Sequence, residues 1–351
     1  MGVILETSFK PAWWLNNPHL QTLWPTFTRR LPPPPRRVQI LETPDGDFLE
    51  LAWCGGGAGP LVLLLHGLAG SFNSHYIKGQ QWALLQMGWR SVAMNFRGCG
   101  KTPNRTARCY HSGETDDVDF VYRHLLHLEP GAPKAAVGFS LGGNVLLKWL
   151  GERKKTIDLF AACAVSVPLQ LHLCADTMDR GFSRIYRNRL IGELKQYIAQ
   201  KIRYLEKKGF HAEAKRLKAL GELDSIRSFW EYDDRVIAGL YPFEDVHDYY
   251  RQCSSRRFLG DIQVPTLLIQ SLDDPFMIPD VIPPPEETSP SFAMEITAGG
   301  GHVGFIQGTV PGKGYYWLEQ RIPQFLRSRY LAKHASAEPS QANELCPEIS
   351  P

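Results

Sequence analysis

The sequence predicts an α/β protein with a mostly parallel central sheet, helices on both faces of that sheet and a helical insertion in the second half. Three observations predict it. Short apolar runs alternate with amphipathic stretches along most of the 351 residues, which is typical of strands buried on both faces. Residues 169–250 interrupt this alternation without a convincing strand. A Gly-x-Ser-x-Gly motif joins an apolar strand pattern to a helix pattern.

The individual elements follow from local patterns. The first two strands flank a Pro44-Asp45-Gly46 turn, and Thr115 precedes acidic residues that suit the start of a helix. The predicted strands cover residues 38–41, 48–54, 61–65, 91–95, 134–139, 159–165, 266–270 and 293–296. The predicted helices outside the insertion cover residues 115–127, 141–151 and 315–330.

Composition and charge exclude several classes of protein. Apolar residues make up 43% of the chain and charged residues 21%, which excludes global disorder and collagen-like or coiled-coil character. The net charge of +3 gives no bulk attraction to nucleic acid, so we expect no such partner. No apolar run is long enough to cross a membrane. Seven scattered cysteines without a Cys-x-x-Cys pair, and no signal peptide, indicate reduced thiols in a cytoplasmic protein.

Four regions are expected along the chain. Residues 1–37 form an aromatic arm that packs on the core, and we expect Trp13, Trp14 and Trp24 to bury large apolar surfaces there. Residues 38–168 and 251–333 form the α/β core. Residues 169–250 form a helical cap or lid. Residues 334–351 are polar and without pattern, which predicts a disordered tail.

The Gly-x-Ser-x-Gly motif predicts a nucleophile at Ser140. The motif is Gly138-Phe139-Ser140-Leu141-Gly142, and its position between a strand and a helix is the one in which a serine is presented on a tight turn. Side chains two residues before and after the serine would collide in such a turn, and the two glycines remove that collision.

A nucleophilic serine needs a general base and a carboxylate that orients the base. His302 follows the late strand 293–296 on a glycine-rich loop, and two adjacent aspartates, Asp273 and Asp274, follow the strand before it. An acid after one late strand and a histidine after the next complete a catalytic triad with Ser140. The two aspartates leave the choice of acid open.

An attacked carbonyl becomes an oxyanion, which needs preorganised hydrogen-bond donors. One candidate is the backbone amide of Leu141, directly after the nucleophile. The other is the amide of Leu68, in the loop after the strand 61–65, where Gly67 lets the backbone approach closely. We expect His66 in the same loop to brace it rather than to take part in chemistry.

The chain resembles the α/β-hydrolase superfamily over about residues 45–330. Four further motifs narrow this likeness, and they are Asn17-Pro18-His19-Leu20-Gln21-Thr22, Asn95-Phe96-Arg97-Gly98-Cys99-Gly100, Tyr110-His111-Ser112-Gly113-Glu114-Thr115-Asp116-Asp117 and Gly300-Gly301-His302-Val303-Gly304-Phe305. On these motifs the chain resembles the YheT-like branch, which includes bacterial YheT hydrolases, fungal medium-chain ethyl ester synthase/esterases and animal abhydrolase-domain lipases.

This resemblance implies hydrolysis of carboxylic esters, or acyl transfer from them, without a metal or organic cofactor. Serine, acid and histidine follow one another in this order in the family, and its habitual spacing favours Asp274 over Asp273 as the acid. The predicted function is therefore a serine hydrolase that cleaves short- to medium-chain acyl esters or lipids through an acyl-enzyme. The alternatives are an acyltransferase that uses the same site and a non-catalytic binding module on the same fold.

The insertion carries a strongly basic stretch. Between Arg180 and Lys218 there are 12 Lys and Arg residues against 3 Glu, and apolar residues recur at helical spacing. The recurring residues are Leu190, Leu194, Tyr197, Ile198, Ile202 and Leu205. Such a helix either packs its apolar stripe on the core with its charges in solvent, or rests on an anionic membrane as a peripheral contact.

Overall fold

The computed structural model describes residues 1–335, and within them nine strands form one sheet and two more form a hairpin. The sheet strands are β1 (Val3–Leu5), β2 (Arg36–Glu42), β3 (Phe48–Cys54), β4 (Leu61–Leu65), β5 (Arg90–Asn95), β6 (Lys134–Phe139), β7 (Ala161–Val165), β8 (Thr266–Ser271) and β9 (Phe292–Thr297). They lie in the order β1-β9-β8-β7-β6-β4-β5-β3-β2. Only β3 is antiparallel to its neighbours β2 and β5 within this sheet, so the predicted mostly parallel sheet is confirmed.

Helices cover both faces of the sheet. They are α1 (Pro18–Thr28), α2 (His75–Gln86), α3 (Asp116–Leu128), α4 (Leu141–Arg153), α5 (Leu171–Met178), α6 (Ser183–Lys207), α7 (His211–Lys218), α8 (Phe229–Tyr232), α9 (Val246–Cys253) and α10 (Leu318–Ala335). One apolar cluster joins α3 and α4 to the sheet through residues such as Val118 and Trp149. A second cluster joins α2 and α10 to it through residues such as Leu84 and Ile322. The fold is the α/β-hydrolase fold that the sequence predicts.

The boundaries of the predicted elements agree with the structure at most positions, with one correction. Tyr315 and Tyr316, predicted as the start of the last helix, belong to β11 (Lys313–Tyr316), which forms an antiparallel hairpin with β10 (Ile306–Val310). The helix begins only at Leu318. Tyrosine suits a half-buried strand, and its pairing with β10 overrides the helical pattern that continues after it. The hairpin, β1, α1 and α2 have no counterpart in the prediction.

The N-terminal arm is ordered by strand pairing and by a helix. Its strand β1 pairs in parallel with β9 at the edge of the sheet. Helix α1 begins at Pro18, and the Asn17 side chain caps it by accepting hydrogen bonds from the amides of His19 and Leu20. The polar cap and the proline at the first helical position therefore fix where this helix starts.

The expectation that three tryptophans of the arm are buried is wrong for Trp13. Trp13 is 67% exposed and only its indole N–H is fixed, by donation to the carbonyl of Thr309. Trp14 and Trp24 are half-buried and pack edge to face against each other. Phe9 is the deeply buried aromatic residue instead, and it packs on Phe305 and Trp317.

The chain between β7 and β8 consists of helices joined by turns and irregular segments, and it contains no strand. Helices α5–α9 share an apolar cluster of their own, which includes Leu194, Ile198 and Tyr249. Of the predicted apolar stripe on α6, Leu194, Ile198 and Leu205 are buried and Leu190, Tyr197 and Ile202 are half-buried. The stripe therefore packs inward. Most basic residues of α6 lie on its outer side, whereas Lys201 is fully buried and donates to the carbonyl of Arg108.

Three smaller expectations concern the chain as a whole. No helix among residues 1–335 is both long and apolar enough to span a bilayer. The six cysteines in that range are free thiols. The predicted disordered tail began at residue 334, but α10 continues to Ala335, and residues 336–351 lie outside the described residues.

Phe9 and Trp13 make a matched test of how the arm is held. Phe9→Ala should lower the free energy of unfolding by about 3–5 kcal/mol, because it removes a buried ring from a closed cluster. Trp13→Ala should change it by less than about 1 kcal/mol, because most of that ring is already in solvent. Urea titration of both variants measures the two values, and a larger loss for Trp13→Ala would contradict this packing.

Candidate active site

Ser140 lies on a sharp turn between β6 and α4. Its backbone has φ +52° and ψ −122°, a strained conformation for a residue with a side chain. A Cβ atom on Gly138 would lie 2.4 Å from the carbonyl oxygen of Gly142, and one on Gly142 would lie 2.4 Å from that of His66. Gly138 is therefore required because of its closeness to Gly142, as the motif predicts, whereas Gly142 is required because the backbone of Leu65 and His66 lies against it.

Ser140, His302 and Asp274 form a continuous hydrogen-bonded chain. The Oγ of Ser140 is 2.9 Å from Nε2 of His302, and Nδ1 of His302 is 2.8 Å from Oδ2 of Asp274. A carboxylate can only accept, so Nδ1 carries the proton and Nε2 is left to accept from the serine hydroxyl. The three residues follow β6, β8 and β9, whose carboxyl ends meet at one edge of the sheet.

The two adjacent aspartates, Asp273 and Asp274, have different hydrogen-bond partners. Asp274 is buried, and its Oδ1 accepts a hydrogen bond from the amide of Phe276 while Oδ2 faces His302. Asp273 points the other way, where its Oδ1 accepts from the amide of Gly301 at 2.9 Å and from the hydroxyl of Ser271. Asp274 is thus the carboxylate placed to orient the histidine, and Asp273 holds the loop that carries it.

The loop after β4 brings Leu68 to the serine. The amides on either side of Leu68 are occupied, since Gly67 donates to the Tyr76 hydroxyl and Ala69 to the Tyr110 hydroxyl. The Leu68 amide has no acceptor among residues 1–335. A Cβ on Gly67 would lie 3.1 Å from Cβ of Ser140, so this backbone passes directly beside the nucleophile.

Leu141 supplies the second amide. It is the first residue of α4, so its N–H has no acceptor within the helix and adds to the positive end of the helix dipole. The two leucine amides and Ser140 line the same cavity. The arrangement offers two free donors beside the nucleophile, as an oxyanion hole requires.

His66 braces the Leu68 loop. Its ring is fully buried, its Nδ1–H donates to the carbonyl of Gly67 at 2.7 Å, and its Nε2 accepts from the amide of Phe96. Burial lowers the pKa of His66 to about 4, so the ring is neutral at neutral pH. Both ring nitrogens are occupied by backbone groups, which fits a bracing role.

Helix α1 of the arm holds the histidine loop, a role that the sequence did not reveal. The Thr22 hydroxyl accepts from the amide of His302 at 2.9 Å. Gln21 is buried, and its side-chain amide pairs with both the N–H and the C=O of Ile306. A Cβ on Gly304 would lie 2.3 Å from the carbonyl oxygen of Gln21. The Asn17–Thr22 segment and the glycine-rich loop that carries His302 are therefore in direct contact with each other.

Phe276 is a second residue in contact with the histidine loop that no sequence pattern indicated. Its ring stacks on the imidazole of His302, with centroids 4.0 Å apart and an interplanar angle of 12°. Tyr186 of α6 packs against the ring of Phe276 and is hydrogen-bonded to His19 of the arm. The arm and the insertion thus meet over the histidine.

A cavity of about 380 Å³ extends from Ser140 between the insertion and the sheet edge. Its walls are mainly apolar and come from α5, α6 and α9, with residues such as Leu171, Met178 and Leu194. Among residues 1–335 no cluster of three or more His, Cys, Asp or Glu side chains is arranged to hold a metal ion. The predicted absence of a cofactor stays a prediction.

The family of the chain follows from comparison with known proteins. Residues 60–309 match the model of the α/β-hydrolase fold family, and the chain belongs to this family. Among solved structures, esterase Pf2001 of Pyrococcus furiosus superposes with a TM-score of 0.51 at 17% identity, covering 86% of this chain and 92% of its own. At that identity the likeness shows the fold alone.

Within the family the chain falls in the YheT-like branch. It is 42% identical to YheT of Escherichia coli, an esterase by name, over 333 residues that cover 93% of this chain and 95% of YheT. It is 29% identical to the mouse phospholipase ABHD3 over 336 residues, covering 93% of this chain and 79% of ABHD3. The protein is a carboxylic ester hydrolase of the esterase and lipase type.

Gln21 provides a test of the contact between α1 and the histidine loop. Gln21→Ala leaves the N–H of Ile306 without a partner, while the C=O of Ile306 still accepts from the amide of Ala12. The variant should therefore lower the free energy of unfolding by about 1–3 kcal/mol and reduce ester turnover about tenfold or more as His302 shifts. Leu20→Ala, on the exposed side of the same helix, is the control and should change neither by much. Equal effects of the two variants in urea titration and ester assays would refute the role of Gln21.

Proposed function

We propose that the protein hydrolyses carboxylic esters through an acyl-enzyme on Ser140, with His302 as general base and Asp274 as the residue that orients it. The observation that carries this proposal is the hydrogen-bonded chain from the Ser140 hydroxyl through both nitrogens of His302 to Asp274. A serine hydroxyl is a weak nucleophile at neutral pH, and such a chain is what makes it reactive.

The steps follow from this geometry. As the Ser140 oxygen bonds to the ester carbon, its proton passes to Nε2 of His302 and the carbonyl oxygen becomes an oxyanion, which the amides of Leu68 and Leu141 stabilise. The oxyanion collapses, the ester C–O bond breaks, and the leaving alkoxide takes the proton from Nε2 as an alcohol. Water then attacks the acyl-enzyme by the same route and releases the acid.

Acyl transfer would use the same intermediate with an alcohol in place of water. Nothing in the cavity favours an alcohol over water, so hydrolysis is the proposed outcome. A binding module without turnover is disfavoured, because the hydrogen-bonded chain from Ser140 to Asp274 supports catalysis. Product analysis with a competing alcohol measures the partition between the two reactions.

The proposed substrates are short- to medium-chain acyl esters or lipids. The apolar walls around Ser140 suit an alkyl chain, and each buried CH₂ contributes about 0.8 kcal/mol. The name of the ABHD3 relative as a phospholipase supports a lipid ester. Specificity should therefore rise with chain length from acetate until the cavity is filled.

Covalent labelling tests the nucleophile directly. A fluorophosphonate should label wild-type protein at Ser140, because only a base-activated serine attacks phosphorus rapidly. Ser140→Ala should lose both labelling and ester turnover while its melting temperature stays close to that of the wild type. Turnover that persists in Ser140→Ala would refute the proposal.

The two aspartates test the acid. Asp274→Asn should reduce kcat by roughly 10³–10⁴, because an amide that faces Nδ1 favours the wrong tautomer of His302. Asp273→Asn is the matched control, since it changes the neighbouring carboxyl, and it should cost far less because the amide oxygen can still accept from Gly301. Steady-state kinetics with a p-nitrophenyl ester compare them, and the reverse order would transfer the role to Asp273.

We also propose a peripheral contact between the basic surface of residues 180–218 and anionic membranes, with the protein otherwise cytoplasmic. Some basic residues of this surface are paired with carboxylates, as in Arg187–Asp179 and Lys218–Glu206, so the attraction to lipid would come from the remaining basic residues. Two apolar side chains at the start of α6, Phe182 and Ile185, are 47% and 57% exposed beside these charges. An apolar tip beside a basic surface suits a lipid headgroup layer.

Vesicle binding tests this contact. The protein should bind vesicles that contain phosphatidylserine at low salt and leave them as salt rises, because the attraction is screened. One variant reverses four exposed charges of the insertion, at Arg184, Arg203, Lys207 and Lys208. This variant should lose binding to the vesicles and keep turnover of a soluble short ester. The control reverses four charges elsewhere, at Arg30, Arg37, Arg327 and Arg329. Equal binding by both variants would exclude the contact.

A further inference from the structure

The cavity that contains Ser140 also contains a carboxyl group that the proposed mechanism does not use. Asp233 begins a π-helical segment, Asp233–Ala238, between α8 and α9, and it lines the cavity together with Tyr250. Its Oδ2 accepts a hydrogen bond from the Tyr250 hydroxyl at 2.7 Å. Within residues 1–335 its other oxygen has no hydrogen-bond partner, and the group has no ion pair.

Asp233 is largely surrounded by protein and yet is not sealed off from the cavity. Burial raises the pKa of Asp233 to about 7, although the residue as a whole is half-buried rather than fully enclosed. Because the residue also lines the cavity, part of Asp233 is accessible from the space where substrate would lie.

A buried carboxyl group without a cation costs stability. Such groups, and π-helical segments, are concentrated at functional sites, where the cost is offset by a function. The ionisable side chains that interact with Asp233 are those of Tyr232, Tyr249, Tyr250 and Cys253, and none of them is a cation that would account for an acid here. The free oxygen therefore lacks the partner that a bound molecule would supply.

The walls of the cavity limit what can reach Asp233 from the ester group. Apart from the reactive centre they are mainly apolar, with Leu171, Met178, Leu194 and Ile237 among them. A polar group that reaches the carboxyl must therefore be carried on an apolar chain. A hydroxyl group suits a carboxyl that titrates near neutral pH, because it donates to the carboxylate and accepts from the acid, whereas an ammonium group suits only the carboxylate.

We propose that Asp233 and Tyr250 form a subsite for a hydroxyl group at the far end of an alkyl chain of the ester substrate. The inference rests on the proposed function, because it assumes that the ester is cleaved at Ser140. It names the substrate class as esters of hydroxylated chains. The hydroxyl would lie on the acyl chain or on the alcohol chain, and the chemistry at Asp233 is the same in both cases.

Two series of matched esters test the subsite and separate these sources. The first compares p-nitrophenyl esters of n-alkanoic acids with those of ω-hydroxyalkanoic acids of equal length. The second compares butyrates of 1-alkanols with monobutyrates of the corresponding α,ω-diols. A cavity without a polar subsite would disfavour the ester with a terminal hydroxyl, because that hydroxyl would be buried without a partner. With the subsite, the wild type should prefer the hydroxylated ester over the plain ester by about tenfold or more in kcat/KM, in one of the two series and at the chain length that reaches Asp233.

Variants of Asp233 tie the preference to this residue. Asp233→Leu should lower the ratio of hydroxylated to plain ester by at least about tenfold, while turnover of p-nitrophenyl acetate stays close to that of the wild type. Asp233→Asn keeps the shape of the side chain and removes its charge. It should lower the ratio of hydroxylated to plain ester by less than Asp233→Leu does, without lowering the melting temperature. If Asp233→Leu does not fold, Asp233→Asn decides. Asp234→Asn makes the same change at the exposed neighbour and should leave the ratio unaltered.

The outcomes separate this inference from the proposed function. If Ser140 is labelled and esters are hydrolysed, but neither series shows a preference for the hydroxyl at any length, the subsite is wrong and a buried water satisfies Asp233. The same holds if the preference survives Asp233→Leu. If no ester is hydrolysed, the proposed function fails, and binding to the Ser140→Ala variant decides the subsite. There calorimetry should show α,ω-diols binding more tightly than the matching 1-alkanols.

Discussion

The strained backbone of Ser140 is the constraint around which the rest of the site is arranged. A residue held in that conformation costs about 1–3 kcal/mol, which the surroundings must offset. Every residue of β6 is buried, as is α4 over its first three turns, so burial on both sides of the turn provides that offset. The turn directs the hydroxyl out of the sheet edge and places the Leu141 amide beside it.

The close fit at this turn extends to its neighbours. Gly142 lets the start of α4 approach the backbone of Leu65 and His66, and Gly67 lets the next loop pass beside the serine. His66 can then fix that loop through both ring nitrogens. The turn at Ser140 and the loop packed against it thus determine where the amides of Leu141 and Leu68 lie, which form the proposed oxyanion hole.

The sequence predicted the parts of this structure that depend on local patterns. The nucleophile turn needs glycines at fixed offsets from the serine and a strand and a helix on either side, so its spacing and local context together identify it. The triad partners could be found because each follows a strand in a parallel sheet. Asp273 and Asp274 share the same local sequence, however, and only the path of the chain after β8 determines which one faces His302.

Other features depend on contacts between distant parts of the chain and left no local signal. Strand β1 is a three-residue strand whose partner lies near the other end of the chain. The exposure of Trp13 depends on which side of the arm meets the hairpin β10–β11, and aromatic content alone does not specify a side. Asp233 and Phe276 belong to no motif. Their importance arises from the cavity and the ring that they face.

The pairing of the arm with the histidine loop has a consequence for synthesis of the chain. Thr22 and His302 are 280 residues apart, and translation adds roughly 5–20 residues per second. For roughly a quarter of a minute to a minute, the nascent arm therefore has neither β9 nor the loop to bind, and its apolar side chains are open to chaperones or to misfolding. The nucleophile turn forms from residues made midway, whereas its base arrives with the last tenth or so of the described chain. Until His302 is made, the Ser140 hydroxyl has no histidine as its partner, so the proposed catalysis requires the first and last segments to meet.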